Sequence, residues 1–101
     1  WAAVRESGGW FDELTDTEIL AAQKLLAERE GVFCEPASAI SVGGLLRDIK
    51  AGKIKPGSTI ACTLTGHGLK DPDTAIKQSQ GQVLQIPAQT DLVKRAILDR
   101  L

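Results

Sequence analysis

The chain has 101 residues, which is enough for one small domain. Apolar residues make up 43% and charged residues 25%, a balance typical of a globular protein rather than a disordered one. The formal net charge of −1 leaves no basic excess, which argues against nucleic acid or an anionic membrane as a partner. No apolar run has the length of a membrane span, and we expect no signal peptide at the start of the chain.

The first third of the chain predicts a helix end, a strand and an amphipathic helix. Residues 1–9 resemble the last turns of a helix that stops at two glycines, and this opening suggests a piece of a longer protein or a trimmed one. A weak strand is predicted over residues 10–14. Thr15 and Glu18 have capping-box spacing, so a helix should begin there and end at Gly31. Ile19, Ala22 and Leu26 lie on one face of this helix, with Leu25 beside them.

The middle of the chain predicts two strands with a helix between them. Residues 32–36 form a short strand-like run, and residues 37–52 have helical periodicity. Gly43 and Gly44 weaken this helix, which suggests close packing against a neighbour. Residues 59–65 are β-branched and uncharged, and such continuous apolar character is typical of a strand buried on both faces of a parallel sheet. The inward positions of the helix are Val42, Leu45, Leu46 and Ile49.

The last third begins with a Gly-His-Gly loop at residues 66–68. A short helix is predicted over residues 72–80, a last strand over residues 82–87 and an amphipathic helix over residues 90–101. The alternation of strands and helices indicates an α/β fold with a partial, mostly parallel sheet and flanking helices. The inward positions of the final helix are Val93, Ala96, Ile97 and Leu101.

The two cysteines, Cys34 and Cys62, both lie in apolar, strand-like runs. A disulfide between them stays open at this point, but two buried reduced thiols fit a cytosolic protein better. The single histidine has no partner at metal-ligand spacing, so we expect no metal site.

Two motifs make the sequence recognisable. Residues 34–46 read CEPASAISVGGLL and residues 62–75 read CTLTGHGLKDPDTA. Together they resemble the C-terminal part of the threonine synthase family, pyridoxal-phosphate enzymes of the tryptophan-synthase-β fold type, also called fold type II. LTGHGLKD is specific to threonine synthases in that superfamily, whereas EPASA is shared more widely. The resemblance covers nearly the whole chain, although WFDEL at residues 10–14 departs from the plainer apolar strand of many relatives.

The resemblance implies an activity, a cofactor and a substrate. Threonine synthases convert O-phospho-L-homoserine and water into L-threonine and phosphate, using pyridoxal 5′-phosphate as an electron sink for carbanion chemistry. Such enzymes are several hundred residues long, so residues 1–101 would be an incomplete, C-terminal part of the large cofactor-binding domain. The lysine that holds the cofactor covalently and the glycine-rich loop for its phosphate lie upstream in the family, so we expect this chain alone to be inactive.

The resemblance also assigns three candidate cofactor-binding residues. Thr65 matches the residue that places a hydroxyl against the pyridine nitrogen, although on position alone it would be a threonine bonding to backbone at a strand end. Gly66 suits a close backbone approach or a positive φ, and otherwise belongs to a flexible loop. Glu35 resembles a glutamate near the cofactor ring, and it equally suits the N-terminal dipole of the following helix.

Four neighbouring residues have more ordinary interpretations. Gly68 shares the alternatives of Gly66. His67 could act as an acid or base in catalysis, but a lone loop histidine is more often structural or exposed. Ser38 fits a helix cap better than a ligand. Lys70 stands in a motif that invites confusion with the covalent lysine, but we predict a surface salt bridge or a contact at the start of a helix.

Other classes remain open beside the threonine synthase interpretation. One is a stand-alone α/β binding or interaction domain that has kept the sequence without the chemistry. Another is a related fold-type II threonine or serine dehydratase, against which LTGHGLKD argues. A strand that is apolar on both faces needs a layer on each side, so we also expect the isolated chain to associate with itself.

Overall fold

The computed structural model describes residues 1–79 and 85–101. Among these residues one isolated antiparallel bridge joins Cys34 to His67, and no extended strand forms. No helix in the same residues is both long enough and apolar enough to cross a membrane. The elements are α1 Ala2–Ser7, α2 Asp16–Glu30, α3 Pro36–Lys50, a 3-10 turn Gly68–Lys70, α4 Pro72–Gln78 and α5 Thr90–Leu98.

Helix α2 begins and ends where the sequence predicts. The Thr15 hydroxyl accepts a hydrogen bond from the Glu18 amide at 3.3 Å, and the Glu18 carboxylate accepts one from the Thr15 amide at 2.7 Å. The Thr15 amide and hydroxyl lower the pKa of Glu18, because both donate to its ionised form. Gly31 ends the helix in the left-handed region at φ 66°. The capping box and the glycine stop are therefore confirmed.

The hydrophobic core lies between α2 and α3 and is small. Its buried apolar members are Ala22, Cys34 and Ala39, against which partly buried Ile19, Leu26 and Leu64 pack. Gly43 permits this approach, since a Cβ there would lie 2.8 Å from Leu14 Cδ1 and 3.3 Å from the Ala22 Cβ. The predicted close packing is confirmed at Gly43. A Cβ at Gly44 would meet nothing within 4 Å.

The inward face predicted for α3 is partly wrong. Leu46 and Ile49 are 42% and 50% exposed, whereas Asp48 between them is buried. Asp48 turns inward because its Oδ2 accepts a hydrogen bond from Trp10 Nε1 at 3.0 Å. Leu46 and Ile49 line an open groove of about 650 Å³ beside α2.

The strand predicted over residues 10–14 is also wrong. This segment has no regular secondary structure and is fixed to α3 by side chains instead of a backbone ladder. Arg47 forms an ion pair with Asp12 and donates to the Glu13 carbonyl at 2.6 Å. The hydrogen bond from Arg47 and one from the Glu13 amide lower the pKa of Asp12 to about 2, because both favour the ionised carboxylate.

Residues 59–65 and 32–36 are the strands that the sequence favours most, and neither is confirmed. Residues 59–65 run without a neighbour on either edge among the described residues, so no ladder of backbone hydrogen bonds forms. Cys62 and Leu64 are half-buried, whereas Thr63 and Thr65 face outward. Burial that alternates at every second residue is typical of an extended segment with one face covered and the other open. The predicted sheet is therefore not confirmed.

The last third of the described residues contains the helices α4 and α5. The Asp71 carboxylate caps α4, accepting from the Thr74 amide at 3.2 Å and from the Thr74 hydroxyl at 2.6 Å. The end of the helix predicted over residues 72–80 and the start of the strand predicted over residues 82–87 lie outside the described residues, while residues 85–87 are not in a strand.

Helix α5 does not bury the stripe that the sequence assigns to its inward face. Ala96 is half-buried, but Val93, Ile97 and Leu101 are exposed. The radius of gyration is 18.6 Å, against about 13 Å for a compact domain of this length. The helix α5 is therefore amphipathic, but no other described segment covers its apolar face.

Gly43 and Gly44 offer a matched pair of substitutions. We predict that Gly44→Ala stabilises the protein by about 0.5–1 kcal/mol, since alanine favours the helix and the added methyl meets open space. Gly43→Ala gains the same propensity but pushes a methyl against Leu14 and Ala22, so it should be less stable than Gly44→Ala by about 1–3 kcal/mol. Urea denaturation of both variants measures the difference. Equal stability would contradict the close packing at Gly43.

Candidate functional site

The candidate site lies where residues 33–35 run antiparallel to residues 66–68. The Glu35 amide donates to the Gly66 carbonyl at 2.8 Å, and the Gly68 amide donates to the Phe33 carbonyl at 3.0 Å. These two bonds enclose the bridge between Cys34 and His67. They bring Glu35 beside Thr65 and Gly66, so the three candidate residues from the sequence lie together.

Ser38 holds the turn at Thr65 and Gly66 against the first turn of α3. Its hydroxyl oxygen accepts a hydrogen bond from the Thr65 amide at 3.1 Å and another from the Gly66 amide at 2.8 Å. The same oxygen lies 3.1 Å from the Thr65 hydroxyl. Ser38 is 5% exposed, whereas Thr65 is exposed. The expectation that Ser38 caps the helix is wrong, since Glu35 occupies the N-cap position and Ser38 bonds across to another segment.

Gly66 is required by a close approach and not by its backbone angles. Its φ is not positive, so the alternative of a left-handed conformation fails. A Cβ at this position would lie 2.8 Å from the Cβ of Glu35 and would also collide with its carboxylate. The backbone at residue 66 is therefore pressed against the side of Glu35.

Lys70 pairs with Glu35, as the sequence suggests. Its Nζ lies 3.3 Å from Glu35 Oε2, and the lysine side chain is largely exposed while the glutamate side chain is about one quarter exposed. The prediction of a salt bridge for Lys70 is confirmed. The lysine restrains the Glu35 carboxylate beside the backbone of Gly66, and Glu35 makes no side-chain cap on α3 although it is the N-cap residue.

His67 and Gly68 shape the loop. The His67 Nδ1 accepts a hydrogen bond from the Leu69 amide at 3.1 Å, which caps the 3-10 turn. Its ring meets the Phe33 ring edge-on, with centroids 5.8 Å apart. Gly68 is buried, and a Cβ there would lie 2.5 Å from Phe33 Cδ2. These contacts give His67 and Gly68 structural parts in the loop.

The sequence reasoning missed Gln23, which supports the site from behind. Its Nε2 donates to the Cys34 carbonyl at 2.7 Å, and its Oε1 accepts from Gln78 Nε2 at 2.7 Å. One signal was present, because Gln23 follows Ile19 by four residues and precedes Leu26 by three, on the apolar face of α2. A polar side chain in such a position is buried only if it finds hydrogen-bond partners.

The two cysteines are free thiols and not a disulfide. Cys34 is buried, as expected, and burial raises the pKa of its thiol. Cys62 is half-buried, so the expectation of full burial holds for Cys34 alone. Residues 1–79 and 85–101 contain no cluster of three or more side chains that could hold a metal ion.

The surface of the site presents two kinds of polar group side by side. The outward-facing Thr65 hydroxyl is neutral and can donate or accept a proton in a hydrogen bond. The Glu35 carboxylate is close to the same turn and is partly balanced by Lys70. This pairing of a neutral hydroxyl with a partly neutralised carboxylate can hydrogen-bond a polar ligand outside the turn.

Comparison with protein families finds one match. A family model described as pyridoxal-phosphate dependent enzyme matches residues 1–66, which is more than half of the chain. The matched region includes Glu35, Ser38, Thr65 and Gly66.

Comparison with curated proteins finds relatives that bear the name threonine synthase. The protein of Synechocystis sp. is 57% identical over 83 residues, covering 82% of this chain and 21% of the relative. That of Halalkalibacterium halodurans is 61% identical over 74 residues, or 73% of this chain and 21% of the relative. That of Methanocaldococcus jannaschii is 46% identical over 95 residues, which cover 94% of this chain and 23% of the relative. The chain thus spans about a fifth of the length of these relatives.

Proposed function

Because the chain belongs to the family of pyridoxal-phosphate-dependent enzymes, we propose that it forms one wall of the cofactor site of a threonine synthase. The reaction would convert O-phospho-L-homoserine and water into L-threonine and phosphate. The names of the relatives favour this activity over that of a dehydratase or a stand-alone binding domain. The observation that carries the proposal is the outward Thr65 hydroxyl, held beside Glu35 by the buried Ser38.

The residues present fit the cofactor that the family uses. Pyridoxal phosphate, when bound, supplies an electron sink that stabilises negative charge on substrate carbon. Thr65 would hold the ring nitrogen through its exposed hydroxyl, whose one hydrogen-bond partner among the described residues is Ser38. Gly66 would bring its backbone and the Glu35 side chain, which fills the space of the absent Cβ, together beside the ring edge.

A hydroxyl at this position has a chemical consequence. It can donate a hydrogen bond to the ring nitrogen, but it is far too weak an acid to transfer its proton. A carboxylate in the same place would keep the ring nitrogen protonated and deepen the electron sink. The neutral hydroxyl of Thr65 therefore moderates the sink, which favours replacement chemistry at the β- and γ-carbons over transamination.

The placement of residues 59–65 within a complete enzyme follows from the same proposal. We place this segment in a mostly parallel α/β sheet whose other strands come from elsewhere in a longer protein, with residues 1–101 as one part of the cofactor-binding domain. The half-buried face at Cys62 and Leu64 and the open face at Thr63 and Thr65 suit such a position.

We also propose that the protein lies in the cytoplasm, since two free thiols are typical of a reducing compartment.

The role of Thr65 predicts a change in reaction outcome on substitution. In the full-length enzyme, Thr65→Asp should protonate the ring nitrogen, lower threonine formation by about tenfold or more and raise transamination and other side products. The reason is that a carboxylate partner favours the protonated ring. Product analysis by chromatography, together with kcat, measures both effects.

Thr65→Asn is the matched control, because asparagine has the size of aspartate without the charge. It should slow the enzyme without the same gain of side products. Thr65→Ser, which keeps the hydroxyl, should retain most of the activity. A Thr65→Asp enzyme with unchanged rate and unchanged products would overturn the assignment of Thr65 to the ring nitrogen.

The isolated 101-residue chain should have no threonine synthase activity. By the family resemblance, the covalent lysine, the phosphate loop and the substrate-phosphate pocket are supplied by other parts of the enzyme, and no hydroxyl replaces a covalent anchor. Incubation with pyridoxal phosphate and O-phospho-L-homoserine should release no phosphate above background, while a full-length relative serves as the positive control. Turnover near the rate of that relative would show that these parts are misassigned.

We also propose that the isolated chain associates with itself. Four exposed apolar side chains lie on faces that a complete enzyme would cover. They are Leu46 and Ile49 on α3, Ile60 in the segment 59–65, and Ile97 on α5. Sedimentation equilibrium over a wide concentration range should reveal dimers or larger species. Ile97→Glu on the apolar stripe should weaken association more than Arg95→Glu on the opposite, polar face of α5. A well-folded monomer at high micromolar concentration would contradict self-association.

A further inference from the structure

We propose that Ser38 is a positioning residue, whose hydroxyl donates its proton to Thr65 Oγ1 and so commits the Thr65 hydroxyl to donate outward. The inference rests on the proposed function, because the outward acceptor is taken to be the ring nitrogen of the cofactor. The inference extends the proposed site by one residue, Ser38, which sets the direction of its hydrogen bond to Thr65. That direction determines which protonation state of the ring nitrogen the site binds.

The direction follows from counting donors and acceptors at the Ser38 oxygen. A serine hydroxyl has one proton and two lone pairs. The backbone amides of Thr65 and Gly66 can only donate, and they lie 3.1 Å and 2.8 Å from this oxygen. These two amides therefore occupy both lone pairs of Ser38.

The contact of 3.1 Å between the hydroxyls of Ser38 and Thr65 can then run in one direction only. If Thr65 donated, the Ser38 oxygen would have to accept three hydrogen bonds. The Ser38 proton would also lose its partner, because no other acceptor for it exists within residues 1–79 and 85–101. The Ser38 hydroxyl makes no hydrogen bond to the carbonyls of Cys34 and Glu35, one turn back on the chain, which instead accept from Gln23 Nε2 at 2.7 Å and from the Ser38 amide at 3.0 Å.

The consequence lies at Thr65. Once its oxygen accepts a bond from Ser38, its own proton is available for an acceptor on the exposed side. Hydrogen bonds in a chain polarise one another, so accepting from Ser38 makes Thr65 a better donor. The chain of amide, Ser38, Thr65 and ligand would therefore favour an unprotonated ring nitrogen and disfavour a protonated one, which has a proton of its own to donate.

Ser41 provides a comparison on the same helix. Its hydroxyl lies one turn further along α3 and contacts the Ser38 carbonyl at 3.1 Å and the Thr63 carbonyl at 3.2 Å. It therefore braces the same extended segment two residues earlier, without touching the Thr65 hydroxyl. Ser41→Ala removes a brace on the same segment and leaves both amide bonds of Ser38 in place, so it controls for a general loosening of the segment.

The test uses the full-length protein loaded with pyridoxal phosphate that carries ¹⁵N at the ring nitrogen. The nitrogen chemical shift reports the hydrogen bond directly and does not depend on turnover. Thr65→Val should move the resonance toward that of a nitrogen without a hydrogen bond. Ser38→Ala should move it in the same direction and weaken cofactor binding roughly threefold to tenfold, the factor expected for a lost neutral hydrogen bond. Ser41→Ala should leave the resonance in place.

The outcomes separate the two claims. If Thr65→Val does not move the resonance, Thr65 is not at the ring nitrogen and the proposed function loses its support. If Thr65→Val moves it and Ser38→Ala does not, Thr65 keeps its role and the positioning role of Ser38 is refuted. Equal displacements in Ser38→Ala and Ser41→Ala would also refute it, because they would indicate a general loosening of the segment.

A second measurement covers the case in which Ser38→Ala fails to fold. Ser38→Cys keeps a side chain of similar size, but its thiol is a weak donor, so it should displace the resonance in the same direction. Neutron diffraction of the unsubstituted protein requires no variant at all. A deuteron on Ser38 Oγ directed at Thr65 is the expected result, and a deuteron on Thr65 directed at Ser38 would overturn the inference.

Discussion

The site depends on the hydrogen bonds that the Ser38 hydroxyl makes. It binds two consecutive backbone amides at residues 65 and 66 and so fastens the end of an extended segment to the first turn of α3. Without it, two half-buried amide donors would lose their partner, at a cost of about 1–3 kcal/mol each. Because the same bonds place the Thr65 side chain outward, the position of the candidate ligand group follows from a hydrogen bond made by a different residue on a different element.

Around this contact the protein uses polar links more than apolar burial. The core of Ala22, Cys34 and Ala39 is made of small side chains, which bury little surface. Gln23 joins α2 to the Cys34 carbonyl and to α4, and Asp48 joins α3 to Trp10. Hydrogen bonds are directional, so such links fix the register of segments whose apolar faces remain open. An arrangement of this kind holds the geometry of the site while the described residues leave many large apolar side chains exposed.

The sequence predicted the helices well and the sheet poorly, and the difference is physical. Thr15 with Glu18, and Gly31, act on backbone groups within a few residues, so the bounds of α2 can be inferred locally. A strand forms only when a second segment supplies hydrogen-bond partners, and residues 59–65 have none among the described residues. The pairing of Glu35 with Thr65 and Gly66 was suggested by a family resemblance. Ser38 was misassigned as a cap because its partners are 27 and 28 residues away, which no local pattern reveals. Residue 48 was missed for the same reason, since its partner is Trp10.

A crystal structure of the full-length protein with pyridoxal phosphate bound tests the proposed site most directly. Thr65 Oγ1 should lie within about 2.7–3.2 Å of the pyridine nitrogen, as expected for a hydrogen bond. The Ser38 oxygen should keep its bonds to the amides of residues 65 and 66, with Glu35 beside the ring. A pyridine nitrogen that lies beyond about 3.5 Å from Thr65, or that is bound by a different side chain, would contradict the assignment of this turn to the cofactor.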